Sequence, residues 1–215
     1  AAKYAGDIVP PGALHARILR PPAHGATLKS VDTAEAGTYP GARVIRDGDL
    51  VAVLHKRRDE AQRALVLIKS EWNPSPNTLD QDTIFDHVEK APLTPQVLES
   101  RGDLSAGAKA STGVVTTRYT KGYVAHAPME THSAVAAMGA DGRITVWAST
   151  QTPFPLQTQV ARALKLPTDK VHIITPYVGG GFGGKSASQQ AIEADRKSTR
   201  LNSSHVSESR MPSSA

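Results

Sequence analysis

Cysteine is absent from the chain, which excludes disulfides, thiolate-held metals and a cysteine nucleophile from its 215 residues. Aromatic residues are sparse, at 5%. No stretch approaches the roughly 18 to 20 apolar residues that a membrane-spanning helix needs. The opening residues, AAKYAGDIVPPG, carry neither an initiating Met nor a secretory apolar run, so the start reads as internal to a longer protein. A formal net charge of +5 would suit a nucleic-acid partner, but the basic residues are scattered and not interleaved with aromatics, which argues against one. What is present, 39% hydrophobic and 21% charged residues, has the balance of a soluble globular chain.

Periodicity organises the first third. Residues 12–20, GALHARILR, alternate as a half-buried strand, and Thr27 to Thr33 is a weaker one. Gly41 to Arg46 and Leu50 to His55 flank the turn-forming Asp47-Gly48-Asp49 and suggest a hairpin. Ala61, Ala64, Leu65 and Ile68 then recur at helical spacing, with Asp59 and Glu60 in the first turn, where the helix dipole favours acids. From Asn73 to Ala110 the text turns to Pro, Ser, Asp and Gly, as in a connecting arm. Order is expected again from GVVTTRYT at Gly113, through a hairpin turning at Asp141-Gly142, a helix over Pro153 to Leu166 and a strand over Lys170 to Val178. The fold class expected is α/β (α+β), with boundaries at 1–75, 76–110, 111–194 and 195–215. The last segment is Ser-rich, with seven Ser from 198 to 214 and no apolar period, and is expected to be disordered. Its text also resembles read-through of sequencing-adaptor DNA, so a non-native tail is expected there.

GGGFGGKS, Gly179 to Ser186, lies between a predicted strand and a predicted helix, where free backbone N–H groups and a helix dipole attract anions. The string satisfies two patterns at once. Gly179, Gly181 and Gly184 fit the dinucleotide-binding G-x-G-x-x-G, while Gly179, Gly184, Lys185 and Ser186 fit the P-loop. A P-loop needs Lys185 on terminal phosphates and further strands downstream, and a dinucleotide site needs an acidic residue roughly twenty positions on. Both remain open on the loop alone, as does a ligand-free glycine turn.

The company of the loop narrows the choice. His126 to Glu130 (H-A-P-M-E), Ser149 to Gln151 (S-T-Q), Ala161 to Pro167 (A-R-A-L-K-L-P) and Gly179 to Lys185 (G-G-G-F-G-G-K) occur in that order. Over Lys3 to Ala194 the chain resembles the xanthine oxidase and aldehyde oxidase family of molybdenum hydroxylases, at the molybdopterin-binding large subunit. The text before residue 75 looks like that family's small α/β hammerhead domain, and DIVPPG and LRPPAHGATL look closest to bacterial isoquinoline and nicotinate hydroxylases.

The resemblance implies a fragment of an enzyme that inserts oxygen from water into a C–H bond of an aldehyde or N-heterocycle. It implies a molybdenum–molybdopterin cofactor in the cytosine dinucleotide form and a partner subunit carrying 2Fe-2S clusters, with an FAD or cytochrome c subunit as a further partner and a small-molecule substrate. A bacterial cytoplasmic or periplasmic location goes with it. By motif, Gln151 would face an oxygen ligand of the metal, Phe182 would lie beside it, and Gly180, Gly181 and Gly183 would let the backbone approach. The general base would be a Glu in a downstream Gly-Glu-Pro segment. A carboxylate at Glu130 reads rather as a cap on nearby N–H groups than as a second base, and His126 lacks a second His at ligand spacing. Trp72 and Trp147 read as packing residues, and Lys185 as a cap on the loop or a contact to a cofactor phosphate. The reading that competes from another class is a nucleotide-binding module on Gly179 to Ser186, and a third is a non-catalytic partner-binding piece.

Overall fold

The computed structural model describes residues 1–75, 79–92, 94, 96–186 and 189–194, and the backbone of 205–208. They divide into one unit formed by Ala1–Ser75 with Ala125–Ala215 and a second formed by Pro76–Val124.

In the first unit, β1 (Leu14–Ile18) pairs antiparallel with β4 (Leu50–His55), which pairs with β3 (Arg43–Asp47) across the expected turn. β2 (Thr27–Asp32) forms a separate ladder with β5 (Lys69–Asn73). The short α1 (Ala34–Gly37) and the longer α2 (Arg58–Val66) join this region. Both faces of β4 are covered: Val51 and Val53 meet Ala36, Ala64 and Ile68, while Leu54 meets Ala16 and Ile45. A strand buried on two faces reads as a continuous apolar run, which is what LVAVL is.

The later part begins with the hairpin of β6 (Ser133–Met138) and β7 (Ile144–Ala148). Gly142, at φ 72°, supplies the left-handed turn residue. α5 (Pro153–Leu164) carries its prolines in the first turn, where the missing N–H costs nothing, and ends on Lys165 in the left-handed region. It buries Leu156, Val160 and Ala161 against Ala136, Ile144, Val146 and Val171. β8 (Val171–Ile174) then pairs parallel with β7, from Ile144 opposite Val171 to Trp147 opposite Ile174. A parallel pair needs a crossover, and α5 provides it.

Several expectations change. The strand predicted over Lys170 to Val178 is four residues long, Val171–Ile174, and opens after a 3-10 turn at Thr168–Lys170. GVVTTRYT is not a strand: Val114, Val115 and Tyr119 are 88% exposed or more and have no ladder partner, without which β propensity has nothing to act on. Residues 111–124 therefore go with the arm, and residues 1–75 share a unit with 125–215 instead of standing apart. The arm itself holds α3 (Ile84–Lys90) and α4 (Leu104–Ala110), neither with a buried residue. Asp103 caps α4 through the N–H groups of Ser105 and Ala106, and Phe85 stacks on Tyr123.

The tail also departs from expectation. His205–Glu208 forms β9, parallel to β1 and antiparallel to β6, joining all the strands but β2 and β5 in the order β3-β4-β1-β9-β6-β7-β8. Composition argued from apolar burial, whereas strand addition draws on main-chain hydrogen bonds that any sequence can make. Residues 195–204 and 209–215 lie outside the described residues.

The two kinds of structure predict opposite responses to truncation. Leu156→Ala, at a site 1% exposed, is expected to lower unfolding free energy by about 2 to 5 kcal/mol in denaturant titrations. Leu104→Ala in the arm, at 95% exposure, should stay within about 0.5 kcal/mol of wild type. Equal effects would contradict this division of the core.

Candidate cofactor site

Because β7 and β8 run side by side in one direction, the residues that follow each emerge at the same sheet edge. Ser149 and Thr150 are buried there and locked by hydrogen bonds: Ser133 N donates to Ser149 Oγ at 3.1 Å, and Thr150 Oγ1 donates to Lys185 O at 3.3 Å. Gln151 N also donates to Lys185 O, at 3.0 Å. The Gln151 side chain reaches the glycine loop, where its Oε1 accepts from Gly183 N at 3.0 Å and Lys185 N at 3.3 Å. Both partners are donors, so the oxygen of the carboxamide must face them. Its NH2 is left without a partner among the described residues.

The loop brings the expected residues together. Gly180, Phe182 and Gly183 have φ values of 88°, 54° and 97°. For Phe182 this is a sparsely populated conformation, of the kind that persists where the surroundings impose it. Its ring is 73% exposed, so the strain is not repaid by burial. A Cβ on Gly181 would overlap Gln151 Oε1 and lie 2.6 Å from Cδ; one on Gly180 would lie 2.9 Å from the Phe182 ring. Gly183 faces His126, whose Nδ1 is buried without a partner among the described residues.

The loop's internal bonds run from Gly184 N to Gly181 O and from Ser186 N to Gly183 O. The N–H groups of Gly180, Gly181 and Phe182 have no acceptor among the described residues. Three consecutive N–H groups and the Gln151 carboxamide NH2 are thus donors open to oxygen atoms or an anion. Among the described residues no group of three or more His, Asp or Glu is placed to hold a metal ion. A groove of about 940 Å³, lined by Arg20, Trp72 and Glu193 among others, includes neither Gln151 nor the loop.

Beneath the loop lies an arrangement that spacing did not reveal. Lys185 is fully buried, and its Nζ donates to Glu130 Oε2 at 2.6 Å. The same oxygen accepts from Gly179 N at 2.8 Å, so Glu130 is the cap expected of it. Held inward, Lys185 is not available to a nucleotide phosphate, and the P-loop reading fails on this contact. His132 is buried nearby. Burial first, then the charge of Lys185, holds its pKa below the ordinary imidazole value, against the opposing pull of Glu130.

That shift has a sign. The folded state resists protonating His132, so below about pH 6.5, the ordinary value, the unfolded state binds the proton more readily and stability falls as the pH drops. Melting temperature measured between pH 8 and pH 5 should therefore decline, and His132→Asn should flatten the decline. An identical pH dependence in that variant would remove His132 from the account.

Known proteins resemble the chain along most of its length. A model of the molybdopterin cofactor-binding domain matches residues 89–194. A nicotinate dehydrogenase subunit of Pseudomonas putida is 28% identical over 201 residues, covering 89% of this chain and 17% of that protein. The beta subunit of isoquinoline 1-oxidoreductase from Brevundimonas diminuta is 30% identical over 209 residues, covering 90% and 26%. The crystal structure of quinoline 2-oxidoreductase from Pseudomonas putida 86 superposes with a TM-score of 0.73 at 25% identity, over 97% of this chain and 32% of that one. The chain thus spans between 17% and 32% of the length of these relatives. With its ordered motifs, its fold and these relatives in agreement, the chain belongs to the molybdenum hydroxylases and carries part of their molybdopterin-binding subunit.

Proposed function

We propose that this chain is the cofactor-seating part of an enzyme that oxidises a C–H bond of an aldehyde or an electron-poor N-heterocycle, taking oxygen from water. The observation that carries the reading is the free NH2 of Gln151 next to the free N–H groups of Gly180, Gly181 and Phe182. The names of the nicotinate, isoquinoline and quinoline relatives favour a heterocycle.

When bound, the molybdopterin group supplies a metal with oxygen ligands and two-electron redox chemistry. This chain's residues supply position and polarity. Gln151, held through its oxygen, offers its NH2 as a donor to an oxygen ligand. The backbone donors at Gly180, Gly181 and Phe182 meet negative charge without rearranging, which is where fixed dipoles act most strongly. Gly181 and Gly183 keep the loop open to a close approach, and Phe182 sets an apolar ring at its surface. Glu130 is engaged by Lys185 and Gly179 and is not free to move a proton. A partner subunit carrying 2Fe-2S clusters would take up the electrons, with an FAD or cytochrome c subunit as a further partner, and the pterin would be of the cytosine dinucleotide form. The subunit designations of the relatives support a multi-subunit enzyme.

In the cofactor-loaded enzyme, Gln151→Ala is expected to lower kcat by about 10²- to 10³-fold, the cost of losing one preorganised donor, with molybdenum content per chain within roughly a factor of two of wild type. Metal analysis and steady-state turnover on a heterocycle panel check both halves. Wild-type turnover would strip Gln151 of its role, and a parallel loss of metal would make it an anchor instead.

A further inference from the structure

Both ends of the glycine loop are tied to one carboxylate, that of Glu130, whose side chain is 13% exposed. Glu130 lies next to Gly179, the first loop residue, with Glu130 N donating to Gly179 O at 3.1 Å and Gly179 N returning a bond to Glu130 Oε2 at 2.8 Å. The approach is close enough that a Cβ on Gly179 would sit 2.5 Å from Glu130 Cβ. At the other end Lys185 Nζ reaches the same Oε2 at 2.6 Å, fully shielded from solvent. One oxygen therefore closes a seven-residue loop into a ring.

We infer that Glu130 and Lys185 are positioning residues that build the loop before any cofactor binds and that orient Gln151 through it. The link to Gln151 is the Lys185 backbone: Lys185 N donates to Gln151 Oε1 at 3.3 Å, and Lys185 O accepts from Gln151 N at 3.0 Å and from Thr150 Oγ1 at 3.3 Å. An ammonium can remain dry only while paired. Without the carboxylate, Lys185 must turn outward, and the backbone that holds Gln151 turns with it. His132 cannot replace the lost charge, because the proton it would need to take makes it a second cation, and its Nδ1 is already without a partner among the described residues. Buried ion pairs in general add little net stability. The place of this one, at both ends of a single loop, points to geometry as its purpose. The inference rests on the role proposed for Gln151 and is tested without the cofactor, so the two fail separately.

Amide hydrogen exchange on the 215-residue chain, free of cofactor, reads the loop directly. In Glu130→Gln the amides of Gly183 and Lys185 are expected to exchange about tenfold faster, the weight of one hydrogen bond, while the amides of β6 and β7 keep wild-type protection. If Glu130→Gln loses protection throughout, the double variant Glu130→Gln with Lys185→Met decides the matter, since it leaves no charge to bury. It should recover the β6 and β7 protection and still show fast exchange at Gly183 and Lys185. In the same samples the Gln151 carboxamide NH2 signals, dispersed in wild type, should move towards free-glutamine positions. Wild-type protection of the loop amides in either folded variant would overturn the inference, and would leave the turnover test of Gln151 untouched.

Discussion

The parallel ladder between β7 and β8 is the constraint on which the site depends. Two strands that run the same way must be joined by a crossover, and both must deliver their following residues to one edge. A single antiparallel step there would have sent the glycine loop to the far end of the sheet from Gln151. α5 makes the parallel pairing possible because its apolar stripe, Leu156, Val160 and Ala161, faces the same core that β6, β7 and β8 bury. Packing and function share this element: the burial that stabilises the hairpin also sets the distance between two polar segments.

At that edge the accounting of hydrogen bonds explains the chemistry. Gln151 commits its oxygen to Gly183 and Lys185, and Glu130 commits one oxygen to Gly179 and Lys185. Those bonds satisfy the loop's flanks and leave its tip, Gly180 to Phe182, with donors unclaimed. Unsatisfied donors are costly where they are dry, and they persist where a ligand completes them. Phe182 in a left-handed conformation at an exposed position belongs to the same pattern of local strain at a binding loop.

How much of this is legible in the sequence depends on how local its cause is. The hairpins at Asp47-Gly48-Asp49 and Asp141-Gly142 and the proline-led helix follow from turn chemistry and period, and the structure has them. The meeting of Gln151 with the loop is inferable from ordered motifs and the crossover rule. The pairing of Glu130 with Lys185 is not, because fifty-five positions separate them and neither spacing nor composition announces a long-range contact. α3 and α4 escape notice since each is only seven residues long and buries none of them, too little for a period to stand out, and KSEWN reads only as text resembling the hammerhead domain until its partner β2 makes it a strand. The β9 pairing is hidden for the opposite reason: main-chain bonding leaves no mark in side-chain composition.

The central claim is that the glycine loop and Gln151 form one seat for a molybdenum cofactor. An anomalous difference map collected at the molybdenum absorption edge, on crystals of the cofactor-loaded enzyme, tests it most directly. The account predicts a single strong peak beside the Gln151 carboxamide and the Gly180 to Phe182 backbone. A peak elsewhere in the molecule, with these donors facing only solvent, would contradict it.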